Sequence, residues 1–160
     1  MEIDETHLFK MKNFHPFARP YELKAVWLLG LKERSSGFVL IFPILKRNKQ
    51  KIMQIILRHV ANQSIIYTDS FSVYVDNKSV PSRSKLSHYE YTHFFVNHRY
   101  QFVSKIFNGI HINSIEREWR TIKSLLKEYW PKNIYVKSIG IYYFLYNAIS
   151  IRKKKKLIIF

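Results

Sequence analysis

Three acidic residues in this sequence of 160 residues occupy positions that suit chemistry better than solubility. Asp4 lies in the segment Met1-Glu-Ile-Asp-Glu-Thr6, Asp69 follows a short apolar run, and Glu116 opens an amphipathic helical pattern. Acids are scarce, because 11 Asp and Glu face 27 Lys and Arg. Carboxylate oxygens are the ligands that Mg²⁺ prefers, and clustered carboxylates hold divalent ions for phosphodiester chemistry. We therefore predict a metal-binding carboxylate cluster on a basic surface.

The composition favours a single packed domain with a polyanionic partner. A hydrophobic fraction of 47% argues against disorder, and the length fits one domain. The formal net charge of +16 favours nucleic acid or an anionic membrane surface as partner. No cysteine is present, which excludes disulfides and cysteine-ligated zinc. The first residues lack the basic and apolar regions of a secretory signal, so we do not expect secretion.

One apolar segment invites a membrane interpretation. The range Ile134–Ile151 is long enough to cross a bilayer, but Lys137, Gly140 and Asn147 interrupt it. We predict a helix of the protein there and no membrane partner. A basic protein bound to a membrane surface is the third-ranked alternative.

The elements that must position the first two acids are readable from hydrophobic spacing. Leu23–Leu31 and Gly37–Ile44 read as two strands of a hairpin. Asn48–Asn62 has helical spacing, and Ser64–Thr68 is a short apolar strand that ends on Asp69. Lys10–Pro20 reads as a basic loop punctuated by prolines.

The clearest helix carries the third acid. His88–Asn97 is rich in β-forming residues, and the helix is predicted over Ser114–Tyr129 with Asn113 as its N-cap. Five apolar residues line one helical face at spacings of four and three: Ile115, Trp119, Ile122, Leu126 and Tyr129. The resulting order is strand, hairpin, helix, strand, strand, helix. It predicts an α/β protein with a ribonuclease H-like fold, a mixed central sheet flanked by helices.

Several segments in this order also resemble a known family. These segments occur in the same order as in the family and span the chain from residue 2 to about residue 125. They are Glu2-Ile-Asp-Glu-Thr6, Trp27-Leu-Leu-Gly30, Ile66-Tyr-Thr-Asp-Ser-Phe-Ser-Val-Tyr74, Val96-Asn-His98, Phe102-Val103 and Gly109-Ile-His-Ile-Asn-Ser-Ile-Glu-Arg-Glu-Trp119 with Lys123. The chain resembles the catalytic domain of DDE transposases of the ISXO-like insertion-sequence type and, more closely, the related Merlin group of eukaryotic DNA transposons.

The resemblance implies a site and a reaction. Asp4, Asp69 and Glu116 match the three catalytic acids, which would hold two Mg²⁺ or Mn²⁺ ions and carry out DNA strand cleavage and strand transfer. The implied partners are transposon ends and target DNA, with a homo-oligomer assembled on the DNA. The implied compartment is the nucleus in a eukaryote, and otherwise the cytoplasm or nucleoid.

Weaker candidates for DNA contact are four basic side chains: Lys123, Arg120, His98 and His111. A solvated helix face and structural histidines are the alternatives. The catalytic domain is expected over residues 1–151, with a basic tail over 152–160. The DNA-recognition region that relatives carry before this domain is expected to be missing, so the chain reads as a truncated or degenerate copy.

Each acid has an alternative role. Asp4 could be a surface acid near the chain start, and Asp69 could simply begin a turn. Glu116 has capping-box spacing from Asn113 and lies four residues before Arg120, which would suit an ion pair. The alternative function is a non-catalytic, transposon-derived protein held to nucleic acid by its charge.

Overall fold

A computed structural model describes residues 1–12, 23–44, 46–76, 83–96, 111–129 and 157–159. Its elements, in chain order, are β1 (Glu2–Lys12), β2 (Leu23–Lys32), β3 (Val39–Ile44), α1 (Lys49–His59), β4 (Ile65–Asp69), a short 3₁₀ helix (Ser87–Tyr89), β5 (Thr92–Val96), α2 (Asn113–Tyr129) and β6 (Leu157–Ile159). The α/β class and the alternation of strands and helices predicted from the sequence are confirmed.

The strands form one mixed sheet of six strands in the order β5-β4-β1-β2-β3-β6. β1, β2 and β3 form an antiparallel meander in which Asp4 pairs with Gly30. β4 runs parallel to β1, and β5 runs parallel to β4. The strands β1, β3, β4 and β5 therefore share one direction. Their C-terminal ends lie along one side of the sheet, here called the carboxyl edge, at Ile44, Asp69 and Val96.

β1 is an inner strand, and its side chains alternate between the two faces of the sheet. Ile3 belongs to the hydrophobic cluster on the face covered by α1, and Glu5 bonds Tyr74 of the same cluster. Glu2 and Asp4 bond groups of α2 on the opposite face. Consecutive acids of one strand thus lie on opposite faces.

The main hydrophobic core lies between α1 and the sheet. Asn48 caps this helix, because its side-chain oxygen accepts a hydrogen bond from the Lys51 backbone N–H at 2.7 Å. Four apolar residues at helical spacing are buried: Ile52, Met53, Ile55 and Ile56. Burying each such side chain contributes roughly 1.5–3 kcal/mol to folding. The predicted helix is confirmed, and it ends at His59.

α2 covers the second face of the sheet. Ile115, Trp119 and Ile122 are buried, as their spacing predicted. Lys32 on β2 forms an ion pair with Glu118 at 2.8 Å and a hydrogen bond to the Ser114 carbonyl at 3.3 Å. Apolar contact and one largely buried ion pair therefore dock this helix.

Two local predictions were wrong. The strand β1 continues through Lys10 to Lys12, where a loop was predicted, because the meander pairs it with β2 as far as Leu23. α2 begins at Asn113, one residue earlier than predicted, and the Glu116 N–H bonds the Ile112 carbonyl. Asn113 is therefore the first helical residue and does not precede the helix as an N-cap.

Other predictions fall outside the described residues. They concern the helix over Ile134–Ile151, His98 and most of the basic run before β6. Leu157–Ile159, in the predicted basic tail, pairs in parallel with β3. Within the described parts of the chain, neither helix has the length and apolar character needed to cross a membrane.

Candidate active site

The register between β1 and β4 places Asp4 beside Asp69. Glu2 pairs with Tyr67 in the parallel ladder, and each acid lies two residues further along its strand. Neighbouring strands are roughly 4.8 Å apart, and residues two positions apart share a face. The two carboxyl groups are therefore cross-strand neighbours.

Asp4 is half-buried beneath α2. Its Oδ2 accepts a hydrogen bond from Trp119 Nε1 at 2.8 Å. Burial, and then the negative charge of Asp69, raise the pKa of Asp4 to about 7, and Glu116 adds a smaller contribution. Hydrogen bonds from Trp119 and from the Glu5 backbone favour the charged carboxylate and limit the shift in pKa.

Glu116 reaches the same neighbourhood from α2. It lies in the first helical turn, three residues before Trp119, so both project from adjacent parts of the helix surface. Its negative charge contributes to the raised pKa of Asp4. The structure thus brings Asp69 and Glu116 within electrostatic reach of Asp4, while the catalytic role of the three acids stays a prediction.

The carboxylates do not form a closed metal cage. Among the described residues, no three His, Asp or Glu side chains are close enough to hold an ion as they stand. Asp69 Oδ1 accepts the Phe71 N–H at 2.9 Å, which is the turn contact considered for this residue. The donors are nonetheless all carboxylates, which suit Mg²⁺ or Mn²⁺, and a divalent cation would relieve the repulsion that Asp4 experiences.

Glu5 is a fourth acid near the site and was not singled out from the sequence. Its carboxylate accepts a hydrogen bond from the hydroxyl of the buried Tyr74. Burial raises the pKa of Glu5 to about 8; the Tyr74 hydrogen bond opposes the rise, the charges of Asp69 and Asp4 add to it, and Arg47 lowers it slightly. The signal available in the sequence was two consecutive acids in a strand, which must face opposite layers.

Glu2 anchors the start of α2. Its side chain is fully buried, and its two oxygens accept hydrogen bonds from Arg34 Nε and from the Ile115 backbone N–H, each at 2.8 Å. Arg34 also donates to the His111 carbonyl and lies over the Tyr67 ring at 3.7 Å. The carboxylate therefore satisfies a helix N–H that local capping was predicted to satisfy.

Gly30 provides the space in which Trp119 reaches Asp4. A Cβ built on Gly30 would lie 2.5 Å from Trp119 Cη2 and 2.6 Å from Cζ2, both far inside contact distance. We expect Gly30→Ala to lower the free energy of unfolding by about 1–3 kcal/mol, because the indole must move. Thermal or urea unfolding measures this cost.

A double-mutant cycle tests that explanation. In a Trp119→Phe background, Gly30→Ala should lower the free energy of unfolding by clearly less, since the clashing ring atoms are gone. Gly37→Ala is the control, because position 37 has φ +68 and no atom within 4 Å of its Cβ position. It should destabilise through backbone strain and show no coupling to Trp119. Equal costs of Gly30→Ala in both backgrounds would contradict the proposed clash.

A hydrogen-bond relay holds the backbone of Asp69. Thr68 Oγ1 donates to the Asp69 carbonyl at 2.6 Å and lies 2.9 Å from His93 Nε2, and Ser84 Oγ lies 2.6 Å from His93 Nδ1. Because the Thr68 proton is used, His93 donates from Nε2 and accepts at Nδ1. Burial lowers the pKa of His93 to about 4, so the ring is neutral near pH 7. No local sequence pattern indicated this role.

The four residues predicted more weakly to contact DNA differ in their exposure. Arg120 is exposed and Lys123 half-buried on α2. His111 is half-buried, and its Nδ1 lies 3.7 Å from Glu2 Oε1, too far for a hydrogen bond. His98 lies outside the described residues.

Comparison with known proteins shows a likeness of fold. No protein-family model and no curated protein matches the chain. A chain in the cryo-EM structure of the simian T-cell lymphotropic virus intasome in complex with PP2A regulatory subunit B56 gamma is similar over 94% of this chain, with 19% identity and a TM-score of 0.52. This chain spans 45% of the length of that one. The shared architecture is consistent with the ribonuclease H-like fold expected from the sequence.

Proposed function

We propose that this chain is a ribonuclease H-like nuclease domain of a transposase, and that Asp4, Asp69 and Glu116 are its catalytic acids. The finer assignment is to the ISXO-like and Merlin type, carried by the ordered sequence segments. The proposed reaction is hydrolysis of a DNA phosphodiester followed by joining of the 3′-hydroxyl to target DNA. The observation that carries the proposal is that Asp69, on β4, and Glu116, on α2, both raise the pKa of Asp4 on β1.

The three acids would hold two divalent ions, which supply an activated oxygen nucleophile and stabilise the leaving oxygen. The protein contributes position and charge. Trp119 holds one carboxylate oxygen of Asp4, the turn at Phe71 orients Asp69, and the buried Glu2 fixes the helical turn that carries Glu116. Groups positioned before the reaction do not have to be ordered during it, which lowers the barrier.

The basic surface supports DNA as the partner. A formal net charge of +16 would attract the phosphate backbone and release counterions on binding. The fold is shared with a chain of a retroviral intasome, a DNA-processing complex. We extend the proposal to a homo-oligomer assembled on transposon ends, acting in the nucleus if the host is a eukaryote.

One observation favours the second candidate, a non-catalytic nucleic-acid-binding protein. Within the described residues the acids do not converge into a ready metal site, and Asp69 uses one oxygen in a local turn. On this alternative the carboxylates have structural roles and the charge alone holds DNA.

Plasmid cleavage separates the two candidates. Purified protein with supercoiled plasmid in Mg²⁺ or Mn²⁺ should produce nicked or linear DNA, because the acids would then be neutralised by the ions. Glu116→Gln should reduce cleavage at least about 100-fold while leaving DNA affinity within about twofold. Agarose gels and fluorescence anisotropy report the two quantities.

Glu33→Gln is the control, since Glu33 is an exposed acid in the turn between β2 and β3. It should retain cleavage, because glutamine can still accept the hydrogen bond that Ser36 donates. Wild-type protein that binds DNA but never cuts it would establish the non-catalytic alternative.

A further inference from the structure

The side chain of Arg47 is held by neighbouring aromatic rings at the carboxyl edge. It lies between the end of β3 and the N-cap of α1, and its side chain is exposed. The guanidinium carbon is 3.9 Å from the centre of the Trp27 ring and 4.5 Å from that of Phe71. Contact with two aromatic rings from different parts of the chain restrains the orientation of this long side chain.

The position is connected to the acids. The Phe71 N–H donates to Asp69 Oδ1 at 2.9 Å, so one ring that contacts Arg47 belongs to the turn that orients a proposed catalytic carboxylate. The positive charge of Arg47 also acts on the carboxyl of Glu5. Arg47 therefore stands near Glu5 and near the turn that orients Asp69.

The donor groups of Arg47 have no protein acceptor in the described part of the chain. The ion pairs and hydrogen bonds of these residues do not include the Arg47 guanidinium, whose recorded contacts are the two rings. A guanidinium carries five N–H donors at its edge, in a planar fork that matches two phosphate oxygens. Aromatic contact through its face leaves that edge available.

We propose that Arg47, held by Trp27 and Phe71, binds a phosphate of the DNA strand that enters the carboxylate site. The inference rests on the proposed function, which supplies the strand. A carboxylate cluster repels a polyanion, and a cation near it favours the approach of a phosphodiester. Arg47 supplies that charge at a position already ordered in the free protein, so little side-chain entropy is lost on binding.

The test is DNA affinity as a function of salt, with metal chelated so that no cleavage occurs. A short fluorescein-labelled DNA duplex is titrated with full-length protein and followed by anisotropy. Arg47→Gln should raise Kd about 10-fold and reduce the slope of log K against log salt by about 1, because one phosphate contact is lost. Arg47→Lys keeps the charge but loses the planar fork, so its DNA affinity should lie between those of the wild type and of Arg47→Gln.

Arg58→Gln is the matched control. Arg58 is an exposed arginine at the other end of α1, roughly 15 Å from Arg47 along the helix axis, and should leave the slope near the wild-type value. Equal affinities and slopes for Arg47→Gln and Arg58→Gln would overturn the Arg47 site, even in a protein that cuts DNA. Wild-type protein that binds but does not cut would contradict the proposed reaction and leave the Arg47 comparison intact.

Discussion

At pH 8 and without divalent metal, Asp4→Asn should unfold with a free energy about 2–4 kcal/mol greater than the wild type. The pKa of Asp4 is raised from 3.8 to about 7 in the folded protein by burial and by Asp69. A raised carboxyl pKa contributes stability that is fully present below the unfolded pKa and is lost as pH rises through the folded one. The neutral asparagine does not titrate, so its stability is not lost as the pH rises. The difference in unfolding free energy between variant and wild type should therefore shrink towards zero near pH 4.

Urea unfolding at several pH values measures this effect. Asp76→Asn is the control, because Asp76 is exposed and should change stability little at any of these pH values. Adding Mg²⁺ at pH 8 should stabilise the wild type and leave Asp4→Asn unchanged, because the ion binds the folded carboxylates. A variant no more stable than the wild type at pH 8 would mean that Asp4 carries its charge in the fold without penalty.

Glu2→Ala should lower the free energy of unfolding by about 3–5 kcal/mol. The carboxylate is fully buried and bonds both Arg34 and the Ile115 N–H. Removing it takes the acceptor from the Ile115 N–H and from Arg34 Nε, while Arg34 keeps its hydrogen bond to the His111 carbonyl. Glu2→Gln keeps one acceptor oxygen, so we expect a smaller loss, about 1–3 kcal/mol.

Two measurements locate the effect. Chemical unfolding reports the size of the loss, and amide hydrogen exchange should show the first turn of α2 losing protection in Glu2→Gln while α1 keeps it. Glu33→Ala removes an exposed glutamate in the neighbouring turn and should cost well under 1 kcal/mol. A loss for Glu2→Ala no larger than for Glu33→Ala would show that the buried network does not support the helix.

The sequence predicted those features that depend on local spacing. Ile115, Trp119 and Ile122 repeat at helical intervals, and they are the buried residues of α2. The apolar run before Asp69 is a strand for the same reason. Spacing reports which face of an element is apolar, and this is enough to order the elements and to recognise the α/β class.

The features that depend on distant partners could not be predicted in this way. Asn113 had the residue type of an N-cap, yet the Ile115 N–H in the same helical turn bonds Glu2, which lies 113 residues earlier in the chain. The strand β1 was not recognised at its full length because Lys10–Lys12 opens a basic, proline-containing segment typical of a loop, and its extended form depends on pairing with β2. The acids of β1 likewise depend on distant donors, which α2 and Tyr74 supply. Gly30 could be read as a weak point of a strand, but its use as space for Trp119 depends on packing across the sheet.

The contacts of α2 also determine how accurately Glu116 is placed. A rigid body is located completely by three points that do not lie on one line. Ile115, Glu118 and Trp119 are attached to Glu2, Lys32 and Asp4 respectively, and their directions around the helix axis differ. Glu116 lies between Ile115 and Glu118 along the helix axis, so these three attachments limit rotation and sliding of the helical turn that carries it.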